Sequence, residues 1–366
     1  MKIKRISIIF IGLSLLFALS VSANEESTVE AEIKEKLNTE VLSEALDEET
    51  QNYLDMSGIE ESSVNYFDFG KIAETFKYIS SGVIPNIFSE FSLLCSLLIV
   101  ASLLSSFETD KNVSDVAITV ISALMIYPKV LSLSETVKNA AASLSVFIKS
   151  AIPVYAGIIT FHGKASTGSA YAALTLFSAE AADFIVTSLA LPLIPLMLSL
   201  SLTAAFTGKS FDKINEKIEK LIKWVLVITV TIFSAVTSLQ TVVTSNTDAL
   251  AMKGARLMVS TAVPIVGSAL GDALNAVNGS LAVIRSGAGA FGILAVIFIF
   301  APVVINITLN MLSLFFLSLI CELFGMNKLI VLINSSMSLY KLMIASVFTM
   351  VSVAVISAAI LITLIK

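Results

Sequence analysis

The chain is poor in the residues that catalysis and metal binding draw on. It has one histidine, His162, and two cysteines, Cys95 and Cys321, in 366 residues. A zinc site needs several closely spaced His, Cys or carboxylate ligands, and a disulfide framework needs cysteines in recurring pairs. The two cysteines instead sit far apart in apolar runs and read as small buried hydrophobes. There is no His-Glu-x-x-His, no paired His and Cys, and no Gly-rich phosphate loop before a Lys-Ser/Thr. The sequence therefore offers no catalytic residue, no cofactor motif and no metal ligand set.

Charge is scarce as well. Only 14% of residues are charged and 56% are hydrophobic, whereas soluble domains carry roughly 25% charged residues. Ser286–Cys321 contains no Asp, Glu, Lys or Arg, and neither do Phe184–Gly208, Trp224–Thr247 and Leu342–Ile365. One bilayer crossing takes about 20 apolar residues. The fold class expected is all-α: a polytopic helical membrane protein of about seven to ten spans.

The charges that exist are segregated. Residues 24–80 hold 15 of the 28 acidic residues against four lysines. Phosphate neutralisation needs clustered Lys and Arg, so this acidic segment excludes nucleic acid as a partner. Lys2, Lys4 and Arg5, the apolar stretch Ile6–Leu19 and the small residues Val21-Ser22-Ala23 make 1–23 a signal peptide, with an uncleaved anchor as the competing reading. Residues 24–81 are then an acidic extracytoplasmic segment, either a flexible linker or a docking arm, and 82–366 are the transmembrane body. Spans are expected at about 83–107, 116–134 and 143–161. Two crossings are expected in 170–207, with Pro192 and Pro195 at a turn or kink.

Residues 208–223 alternate lysines and acids around Ile214, Ile218, Leu221 and Ile222. They read as an interfacial amphipathic helix in contact with lipid, placed in the cytoplasm by the positive-inside rule. Lys213, Lys217, Lys220 and Lys223 make it a candidate docking surface. Ionisable residues at membrane depth are costly and therefore informative. Glu180 and Asp183 share a helix face, Asp272 and Arg285 bracket another apolar segment, and Ser260, Pro264, Gly267, Gly271, Asn275 and Asn278 recur at helical spacing as one stripe of small and polar groups. Two readings stand for this set: a polar path, or close helix packing of the Gly-x-x-x-Gly kind, with an oligomer-facing stripe and hence a homo-oligomer as a variant. Asn306 and Asn310 invite the same readings. Lys129 and Lys149 read as lysines that snorkel to an interface.

A family resemblance rests on Lys220–Trp224, Thr231-Ile232-Phe233, Leu239-Gln240, Asp248, Lys253 and Arg256. It continues through Val263-Pro264-Ile265-Val266-Gly267, Gly271-Asp272-Ala273-Leu274, Gly279-Ser280 and Arg285 with Gly287 and Gly289. In this order the stretch resembles the stage III sporulation protein AE family of endospore formers. Ser280 stands where the family pattern has Cys, and Arg285 where it has a lysine-like residue. The resemblance implies a multi-pass protein of the mother-cell membrane around the forespore. It implies work within the SpoIIIA set, which includes the cytoplasmic ATPase SpoIIIAA, and with forespore SpoIIQ, in a channel or feeding tube. The expected role is a conduit or export-gate-like subunit. A non-conducting scaffold and an independent secondary transporter are the alternatives, and no convincing internal repeat favours the transporter.

Overall fold

Charge-free sequence turns into very long helices. The computed structural model describes residues 40–59, 68–105, 111–207, 213–237 and 267–363, and every element among them is helical. The signal peptide at 1–23, Ser260, Pro264, Lys253 and Arg256 lie outside the described residues. Two short helices come first, α1 (Val41–Glu44) and α2 (Glu48–Met56). They are followed by α3 (Phe69–Ser105), α4 (Lys111–Phe161) and α5 (Ala165–Asp183). A π-helical segment, Phe184–Ala190, joins α5 to α6 (Leu193–Thr207). Then come α7 (Lys213–Thr237), α8 (Gly267–Phe324) and α9 (Asn327–Thr363).

Six of these stretches are long and apolar enough to cross a membrane, and the chain is a helical membrane protein. Two boundaries differ from the sequence expectation. The spans drawn at 116–134 and 143–161 are one continuous helix, α4. Between them, Glu135 and Lys138 form an i,i+3 ion pair on its exposed side, 3.6 Å apart. Residues 165–206 likewise run as a single helical stretch rather than a hairpin. The π register absorbs the prolines: the Leu191 amide donates to Val186 O, five residues back, and Pro192 and Pro195 fall at the start of α6, where a missing N–H costs little. The 46 residues of Val116–Phe161 measure about 69 Å, more than twice a hydrocarbon core of about 30 Å, so this helix projects beyond the bilayer.

Glycines in the left-handed region end three helices. Gly58, Gly163 and Gly325 have φ of 67°, 76° and 68°. Each follows the Schellman pattern; at the α8 end, Gly325 N–H donates to Glu322 O and Met326 N–H to Cys321 O. The tight turn at Gly325 folds α9 back along α8, and the turn at Gly163 folds α5 back along α4.

α8 is the central element, packed on α9, α3, α4 and α2. The most apolar part of α8 is 78% buried, against 17% for α3, which lies at the periphery. Phe291, Phe298 and Phe300 are fully enclosed. The acidic segment is not a free linker over 40–59. Leu42, Leu46, Tyr53, Leu54 and Ile59 join the main core, and Tyr53 packs against Phe298 at a ring-centroid distance of 6.3 Å. Asp47 caps α2 by accepting from the Thr50 amide at 2.8 Å.

Candidate functional site

Cross-helix contacts define two ends of the bundle. At one end, Tyr155 of α4 donates to Ala288 O on α8, and Tyr171 of α5 donates to Ser357 O on α9, both at 3.1 Å. The docked arm shares this half through Phe298. The opposite end holds the turn at Gly325, the C-terminal part of α6 and the start of α7, where Asn215 meets Met197 and Ser201. The acidic arm and the lysine-bearing start of α7 therefore lie at opposite ends.

The polar residues singled out in the sequence fall in several places. Glu180 meets Lys149 of α4 at 2.7 Å, with the two side chains about half exposed (49% and 53%). Asp183 is half-buried one turn later, where the π segment begins, beside a small cavity of about 10 Å³ lined by Leu144, Ser145 and Met350. Lys129 pairs with Glu90 of α3 at 2.9 Å. Thus Lys129 and Lys149 tie neighbouring helices together instead of reaching alone for an interface. Gly267, Gly271, Asp272, Asn275 and Asn278 lie on the first turns of α8. Asn310 donates to both the backbone and side-chain oxygens of Asn306, so this pair is satisfied within α8. His162 caps α4, its Nδ1 donating to Ile158 O at 2.8 Å.

The start of α7 is not a separate surface helix, because it continues unbroken to Thr237. Lys213, Lys217 and Lys220 are exposed and Lys223 is partly so. Lys220 pairs with Glu216 at 2.6 Å, and Lys223 pairs with Glu219. The foreseen apolar face divides: Ile222 is buried, while Ile214 and Leu221 are 45% and 60% exposed. The buried side at this level is instead occupied by Asn215.

Sequence reading missed what surrounds Asn215. A cleft of about 310 Å³ opens between α6, α7 and α9, lined by Ser201, Asn215, Glu216, Glu219, Asn334, Ser335 and Ser338 with Met197, Val331 and Leu339. The cavities inside the bundle at Tyr155 and beside Asp183 measure about 20 and 10 Å³, at most one water each. The only hint in the sequence was the polar group Asn334-Ser335-Ser336 within an apolar helix.

The family model for stage III sporulation protein AE matches residues 60–364, which takes in all six long helices. The chain belongs to the stage III sporulation protein AE family. It is also similar to the stage III sporulation protein AE of Bacillus subtilis (strain 168), at 22% identity over 232 residues. That match covers 62% of this chain and 58% of the relative's length. No solved structure matches. The stage III sporulation protein AE family is a family of sporulation membrane proteins and not a known enzyme family.

Proposed function

We propose that the chain is the polytopic membrane subunit of the assembly joining mother cell and forespore, working as a conduit or export-gate-like part of that channel. The observation that carries this reading is the family match across residues 60–364, which follows the whole helical body rather than one motif. The partners are the other SpoIIIA proteins, including the ATPase SpoIIIAA, and forespore SpoIIQ. The chain has no nucleotide motif of its own, so its energy comes from a partner or a gradient. The acidic arm would face the space between the two membranes. The basic start of α7, at the other end, would face the mother-cell cytoplasm, as the positive-inside rule favours.

The described bundle is filled along α8 by Phe291, Phe298, Phe300 and Ile307. A conduit would therefore run between copies, or between this chain and its partners. The same filled interior favours a second reading, a non-conducting scaffold of the complex. The two separate in sporulating cells carrying Glu180→Gln. A conduit loses late forespore gene expression while the complex still co-purifies. A scaffold loses both together. Wild-type behaviour in both assays removes Glu180 from the transport account.

A further inference from the structure

The cleft at the start of α7 has a defined chemical character. Asn215 is 8% exposed, and its Nδ2 donates to Met197 O at 3.0 Å and to Ser201 Oγ at 2.7 Å. A backbone carbonyl only accepts, so the amide orientation is fixed and Oδ1 is the atom left over. That Oδ1 is buried with no hydrogen-bond partner among the described residues. A buried acceptor without a donor is costly, and native structures rarely leave one unused. Glu216 and Glu219 line the same cleft, and among the described residues no Lys or Arg does. Each carboxylate meets its lysine through one oxygen, Oε1, which leaves the second oxygen to accept. Ser335 and Ser338 close the cleft from α9, while Met197 and Leu339 supply an apolar wall.

We propose that this cleft is a receptor for an arginine side chain presented by a partner protein. A guanidinium offers five donors in a rigid fork, which suits two carboxylates at once, and a small shift of the Asn215 side chain on binding would bring its buried oxygen to a third donor. Its methylene stem suits the apolar wall. A volume of about 310 Å³ is far larger than a bare metal ion needs, and the described residues hold no group of three metal-ligating side chains.

The test uses the full chain in lipid nanodiscs and a fluorescein-labelled Gly-Ser-Arg-Ser-Gly peptide, read by anisotropy. Its counterpart carries citrulline, the neutral isostere of arginine. The expected result is saturable binding of the arginine peptide, roughly tenfold or more tighter than citrulline, a margin of about 1.4 kcal/mol. Glu219→Gln weakens the arginine peptide by a similar factor and leaves citrulline unchanged, while Glu135→Gln, outside the cleft, changes neither. Ser338→Trp fills the cleft, keeps both carboxylates, and abolishes binding in a protein that still elutes as a single species. Equal binding of the two peptides, or no saturation, overturns the proposal. Displacement of the peptide by sodium but not by choline at equal ionic strength also overturns it, because the occupant would then be an inorganic ion.

Discussion

The Tyr155 hydroxyl stands where a side chain on Gly292 would begin, and from there it donates to Ala288 O. One α4 tyrosine thus fixes how closely α4 can approach α8, and Gly292 leaves the room. Gly292→Ala forces the two apart and should cost about 2 kcal/mol. Tyr155→Phe removes the first atom the new methyl meets. The double variant should therefore lose clearly less than the sum of the singles, as residues in contact do. Thermal unfolding of the four proteins in one detergent checks this. Strict additivity would contradict the contact.

The arm is held to the body by apolar burial. Leu42 is fully enclosed. Leu42→Ala should weaken docking by about 2–4 kcal/mol, while the membrane helices keep their thermal midpoint. Cleavage by a glutamate-specific protease at Glu48 and Glu49, within α2, reports the release. The variant should be cut far faster than wild type.

Alkaline pH should free the same arm. Burial, and then the hydrogen bond to Glu49, raise the Tyr53 phenol above its ordinary pKa. A free phenol ionises near pH ~10. Above that value the docked arm binds more protons than the released one, so docking is at full strength below pH ~10 and weakens as pH rises. Protease sensitivity at Glu48 and Glu49 should climb with alkaline pH in wild type. Tyr53→Phe should flatten that rise.

The Lys149–Glu180 pair predicts a reversal. Lys149→Glu alone, or Glu180→Lys alone, places like charges together between α4 and α5 and should lower the level of folded protein in membranes. The combined Lys149→Glu/Glu180→Lys protein should recover most of it. Failure of the double reversal to recover would mean that the two side chains act separately.

Much of the helical body was legible because charge-free runs mark helices at membrane depth. Trp224–Thr247, Ser286–Cys321 and Leu342–Ile365 contribute to α7, α8 and α9. The breaks were harder to read. Glu135 and Lys138 look like a loop until they are seen paired along α4. Pro192 looks like a reversal until the π segment carries the helix past it. Glu180 and Lys149 were each visible as polar residues at depth, but their pairing depends on the fold-back at Gly163. The cleft was invisible because Ser201, Asn215 and Ser335 come from three segments, and no local spacing links them. The arm was ambiguous because its few apolar residues cannot form a core alone. They become ordered only by joining the core around Phe298.

The most direct test of the central claim is to follow a functional fluorescent fusion of this chain through growth and sporulation in its native cell. The account predicts signal only in sporulating cells, confined to the mother-cell membrane around the forespore. Uniform signal in the membranes of growing cells would contradict it and would leave a general permease as the better description.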